Sequence, residues 1–156
     1  MTLFLIGTSH GFQKGMRNVP TDHYREFLDL LRQAVQRHEV KTIAEEMSED
    51  ALGNNAVSLP ALVAAELAIV HVFCDPNKLE RAAAGLPVED CPATWGKREH
   101  EWIERLKCCE FPALFVCGAN HVPTFTEGCS SQQIAVQVLQ TDWVPVNKIP
   151  LESRLI

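Results

Sequence analysis

The sequence predicts an α/β fold, a three-layer αβα sandwich around a largely parallel central sheet of about five strands. Short apolar runs alternate along the chain with helical apolar stripes, the order expected of βα units. Two of those runs, Leu3 to Ile6 and Ala113 to Cys117, lead directly into the same pattern, Gly7-Thr8-Ser9-His10 and Gly118-Ala119-Asn120-His121. The chain has 156 residues, a length that reads as a single α/β domain over 1–156 able to bury a core without disulfide or metal staples.

Strands are expected near 2–7, 41–45, 68–74, 113–117 and 134–139. Between the first two, Asp22 is a plausible cap, and Tyr24, Phe27, Leu28, Leu30, Leu31, Ala34 and Val35 form the apolar stripe of an amphipathic helix. Ser58 before Leu59-Pro60 reads as a cap with proline in the first turn, opening a helix to about Leu67. Glu80 to Ala84 is a short helix stopped by Gly85, Leu86 to Thr94 a loop, and Lys97 to Cys108 a helix whose Trp102, Ile103 and Leu106 make a core stripe. Residues 142–156, with two prolines, are expected as an extended tail over the core or over a neighbouring subunit, where it could make a homodimer.

With 46% hydrophobic residues, 22% charged and a formal charge of -6, the chain has no polyanion-binding character, so nucleic acid is not an expected partner. The start, Met1 to Ile6, has no basic n-region and reads as a strand, and Leu59 to Cys74 is interrupted by Pro60, Glu66 and His71. No membrane span is expected, and the location expected is the cytoplasm. The six cysteines lack a CxxC pair and read as free thiols.

The carboxyl ends of parallel strands share one edge of the sheet, where open α/β folds build their sites. His10 follows the first strand, Glu45-Glu46 the second, Asp75 the third and His121 the fourth, so these groups should gather on one rim. Glu45 and Glu46 point to opposite faces by strand alternation, and either could serve. Asp75 is equally well read as a turn or cap residue before Pro76-Asn77, with Pro76 suited to the first helical position. Arg81 and Arg98 are counter-ions for a carboxylate or an anionic substrate. Two imidazoles with carboxylates suit a divalent metal, Mn, Fe or Zn, held by His10, Glu46, Asp75 and His121. They equally suit a metal-free hydrolase in which a histidine with a carboxylate partner activates water.

Other constellations are weaker. Cys117 lies in a strand, where burial opposes the thiolate a nucleophile needs. Ser9 has no GxSxG elbow around it, and no GxGxxG or GxxxxGK[ST] cradle exists for a phosphate. His71, in mid-strand, reads as a satisfied core histidine, and His23, His38 and His100 as helix residues with solvated or capping roles.

The first GxxH (Gly7 to His10), the glutamate ending the second strand (Glu45 or Glu46), the helix segment Arg98-Glu99-His100-Glu101-Trp102 and the second GxxH (Gly118 to His121) together resemble a known superfamily. It groups TraB pheromone-shutdown proteins, Tiki metalloproteases, ChaN-like haem-binding proteins and erythromycin esterases. The resemblance implies an α/β fold with paired histidines and glutamates around a site that is hydrolytic in some members and ligand- or metal-binding in others. Residue by residue, His10 and His121 match the motif histidines, Glu45 or Glu46 the acidic position, and Arg98 the helix arginine. Gly7 stands where erythromycin esterases carry a glutamate, and the large insertions of that family are absent, so macrolide hydrolysis is not implied.

The expected function is therefore hydrolysis of an ester or amide in a small molecule or peptide. His10, helped by Glu45 or Glu46, would orient or activate water while His121 completes a metal site or polarises the scissile carbonyl. The alternative is a non-catalytic protein binding a metal or small ligand in the same pocket.

Overall fold

The computed structural model describes residues 1–14, 21–53, 57–87 and 91–146. Five strands form one all-parallel sheet: β1 (Thr2–Thr8), β2 (Thr42–Glu45), β3 (Val70–Phe73), β4 (Ala113–Gly118) and β5 (Ala135–Trp143), in the order β3-β2-β4-β1-β5. All five lie where the sequence predicts strands. The described helices are α1 (His10–Lys14), α2 (Thr21–Arg37), α3 (Glu49–Leu52), α4 (Leu59–Glu66), α5 (Lys78–Ala83), α6 (Trp95–Leu106) and α7 (Val122–Ser131). None of them is long and apolar enough to cross a membrane.

Strand alternation sorts the apolar residues into two cores, and the sheet separates them. Phe4, Ile6, Ile43, Leu114 and Val116 face α2 and α4, meeting Phe27, Leu31, Leu59 and Val63. Leu3, Leu5, Ala44, Phe115 and Cys117 face α6 and α7, meeting Trp102, Leu106, Phe125 and Cys129. The first two crossovers step toward the β3 edge with helices on one face, and the last two step back toward β5 with helices on the other. This is the arrangement right-handed connections require, and it produces the three-layer sandwich. Neighbours β1 and β4 send their chains to opposite faces, so a crevice opens beyond their carboxyl ends.

The expected stripe of α2 is its core face, with Phe27, Leu31, Ala34 and Val35 buried. Asp22 lies inside the first turn rather than at the cap, because the helix already includes Thr21. Ser58 caps α4 as expected, its Oγ accepting from the Ala61 N–H. Pro76 stays outside α5, and Asn77 caps that helix: the Asn77 side chain accepts from the Glu80 N–H, and Glu80 accepts from the Asn77 N–H in return. Gly85 follows with φ +65°, the conformation that ends a helix at low strain in glycine. α6 begins two residues before the expected Lys97, after a 3-10 turn over Pro92–Thr94.

Three helices fall outside the sequence reading. α1 and α3 are about one turn long, too short for periodicity to mark them, and α7 carries a weak stripe (Val122, Phe125, Cys129). The expected tail is also shortened at its start, since β5 continues through Asp142 and Trp143. Trp143 packs on Phe12 and Phe27 at ring-centroid distances of 5.0 and 4.9 Å, and this contact holds the strand's end in line. Residues 147–156 of that tail lie outside the described residues.

Candidate functional site

The crevice is built on Glu46. One residue past β2, it has the parity of Ala44 and so faces the α6 layer, and its side chain is 1% exposed. The Gly118 N–H at the end of β4 donates to Glu46 Oε2 at 2.7 Å, and Arg98 Nη2 donates to Oε1 at 3.0 Å. His10 Nε2 lies 3.3 Å from Oε2, and His121 Nε2 lies 3.4 Å from Oε1. Burial alone would raise the Glu46 pKa. The hydrogen bond and charge of His10, the charge of His121 and the Gly118 N–H outweigh it and hold the carboxyl below its ordinary range.

His10 and His121 share a motif and differ in environment. His10 opens α1, which the buried Phe12 and Gln13 anchor; Gln13 Nε2 donates to the Val116 carbonyl at 3.1 Å. The His10 side chain is 44% exposed. Its hydrogen bond to Glu46 raises its pKa above 6.5, with burial and the charges of Lys14 and Arg98 opposing and the Glu46 charge adding. His121 is 3% exposed, wedged against Trp95 and Trp102 at ring-centroid distances of 4.4 and 5.0 Å. Its Nδ1 is 2.7 Å from Glu99 Oε1, and since a carboxylate only accepts, Nδ1 carries the proton. Thr124 Oγ1 donates to the same Glu99 oxygen at 2.7 Å. His121 therefore stands behind Glu46 and does not line the cleft.

The two motif glycines are needed for different reasons. A Cβ on Gly7 would sit 2.1 Å from the Thr141 carbonyl oxygen and 2.5 Å from Val122 Cγ2, so this glycine admits the close passage of β5 and α7. A Cβ on Gly118 would sit 3.0 Å from His10 Nε2 and 3.3 Å from Glu46 Oε2, so that glycine keeps the site itself open.

Glu45 does not belong to the crevice. It shares the parity of Ile43 and turns into the α4 layer, fully buried, where Ser58 Oγ donates to its Oε1 and His71 Nε2 lies 2.8 Å from the same oxygen. The expectation that either glutamate could serve is thus corrected in favour of Glu46. His71 is satisfied as expected, by a carboxylate on the neighbouring strand.

Asp75 does share the rim, as part of a closed ionic cluster. Arg98 Nε and Nη2 donate to Oδ1 at 3.1 and 3.0 Å, the Trp102 indole N–H donates to Oδ1 at 3.0 Å, and Arg81 pairs with Oδ2. Both oxygens of Asp75, expected among the metal ligands, already serve protein donors. Arg98 occupies the space between Asp75 and Glu46 with its own positive charge. Among the described residues no group of three or more His, Cys, Asp or Glu side chains is disposed to hold a metal ion.

The cleft above these groups has a volume of about 220 Å³, and its lining includes His10, Lys14, Glu46, Asp75, Arg81 and Arg98. A larger groove of about 480 Å³ near Leu86, Lys97 and His100 contains none of these groups, so size does not select the site. Cys117 is fully buried, and desolvation, then the Glu46 and Glu99 charges, push its thiol well above the usual range, which removes it as a nucleophile.

Lys14 and Glu99 are the cleft and support residues that sequence reasoning missed. Lys14 is four residues from His10, the spacing that puts two side chains on one helical face. Glu99 carries no local signal, because its partners His121 and Thr124 are 22 and 25 residues away. No protein-family model matches the chain, and no curated protein or solved structure is significantly similar to it.

Proposed function

We propose that the chain is a hydrolase of small esters or amides that uses His10 as general base. The observation that carries this reading is the pairing of an exposed imidazole in a cleft with a buried carboxylate that the protein holds rigidly. Glu46 cannot turn away, because Gly118 and Arg98 fix both of its oxygens. With Nε2 bound to Glu46, His10 Nδ1 is left to take a proton from water. The water oxygen then bonds to the acyl carbon, and the carbonyl electron pair moves onto its oxygen beside the cations lining the cleft. When the pair returns, the bond to the leaving oxygen or nitrogen breaks, and His10 gives its proton to that atom. His121, through Glu99, holds the far side of Glu46 and acts as a positioning residue.

Membership of the TraB and Tiki superfamily forms part of this proposal, with Arg98, the residue that matches the helix arginine, supplying positive charge beside Glu46. A non-catalytic small-ligand site in the same cleft is the competing reading. A panel of small esters and amides, assayed after chelation and again with added Mn, Fe or Zn, separates them. The expected result is turnover that survives chelation and falls about 10²–10⁴-fold in His10→Ala. Absence of turnover across the panel, or an active His10→Ala, overturns the hydrolytic reading. Turnover that chelation abolishes and metal restores overturns its metal-free form.

A further inference from the structure

The geometry points to an anionic substrate: the cleft takes a small molecule bearing a carboxylate or phosphate beside the bond cleaved, with Lys14 as the residue that holds that group. The inference rests on the hydrolytic reading of the same cleft and adds to it the chemical class of the substrate.

The charges facing the cleft decide the matter. Its two carboxylates, Glu46 and Asp75, are bound by Arg98 and Arg81, so two negative and two positive groups cancel within the wall. Among the described residues that line the cleft, what remains is Lys14 and, when protonated, His10. Lys14 is half-buried and has no ion-pair or hydrogen-bond partner among the described residues. From His10 to Thr21 the sequence contains no Asp or Glu. In a chain of formal charge -6 this cleft is a local exception, and a concave site focuses such a charge onto a small ligand.

Size and position narrow the ligand further. A cleft of about 220 Å³ lies below the roughly 300–1,000 Å³ of sites for drug-sized ligands, so it accommodates a few heavy atoms or the end of a longer molecule. His10 and Lys14 are the first and last residues of α1, four apart and so on one face of the helix, and the buried Phe12 and Gln13 pin that helix beside the cleft. A ligand whose anionic group sits on Lys14 therefore presents the atoms next to that group to His10. An ammonium is a point charge without the planar fork of arginine, and it accepts carboxylate and phosphate alike.

Calorimetric titration of the full chain with inorganic phosphate and with acetate tests the proposal without any need for turnover. Saturable binding of at least one of the two is expected, weakened by added salt, about tenfold weaker in Lys14→Gln and largely retained in Lys14→Arg. The arm that binds more tightly names the anion. No saturable binding of either ion, or equal affinity in wild type and Lys14→Gln, overturns the proposal. Thermal unfolding of Lys14→Gln, expected to match wild type, shows that any loss of binding is not a loss of fold. Anion binding without hydrolysis counts against the hydrolytic reading alone. Turnover of neutral esters without anion binding counts against the anionic substrate alone.

Discussion

The two GxxH segments share a pattern in sequence and perform opposite tasks in the fold. Gly7-Thr8-Ser9-His10 places an imidazole in solvent reach above a carboxylate, whereas Gly118-Ala119-Asn120-His121 buries one behind that carboxylate, between two tryptophans and Glu99. The difference lies in the next helix. After His10 the chain turns into α1, whose Phe12 packs into the core on the α2 and α4 face. After His121 it enters α7, whose packing on α6 closes the imidazole in. A motif at a strand's end thus specifies where an imidazole emerges, and the helix after it specifies whether water reaches the ring.

Glycine substitution should expose the contrast most strongly. Gly7→Ala drives a Cβ into the Thr141 carbonyl, which as sheet backbone cannot move aside, and is expected to cost about 3 kcal/mol or more in chemical denaturation. Gly118→Ala meets the movable ends of His10 and Glu46, so a loss of about 1 kcal/mol is expected, with turnover reduced about tenfold by displacement of the base. Equal losses of stability in the two variants would mean that both glycines serve packing alone.

The histidines come next in size. His121→Ala removes a buried ring and leaves Glu99 buried with, among the described residues, only Thr124 as a side-chain partner, so a loss of about 3 kcal/mol is expected. His10→Ala should stay within about 1 kcal/mol of wild type while abolishing turnover. Comparable destabilisation in both would erase the distinction between rim and support.

The smallest effect is in pH. His10 has a folded pKa raised above 6.5 by Glu46, so the stability it contributes is complete below 6.5 and fades as pH rises through the raised value. Turnover should move the other way, rising through the same midpoint as the neutral base forms. His10→Ala should remove this dependence of stability. At the acid end, Glu46, held below its ordinary range, contributes stability that is lost as pH falls through its lowered value. A stability curve unaffected by His10→Ala above pH 6.5 would show that the Glu46 pair is absent in solution.

Much of the fold was legible in the residues. Apolar runs of strand length, broken by helical stripes, determine a parallel sheet with covered faces, because each run must bury its side chains and each crossover must have one hand. The same rule brings His10, Glu46, Asp75 and His121 to one edge, since every one of them follows a strand. Capping is local chemistry, and Ser58 announces α4 for that reason. What the tertiary structure alone decided is direction and partnership. Glu45 and Glu46 are adjacent and equally acidic, yet one enters the α4 layer to meet Ser58 and His71 and the other enters the α6 layer to meet Arg98. Their assignment depends on which face each helix covers. Asp75 as an arginine-bound strut, Glu99 as the support of His121 and Lys14 as an ammonium without a partner among the described residues are set by how residues far apart in the chain come together. Such contacts depend on the packing of whole layers, and no short window of sequence contains them.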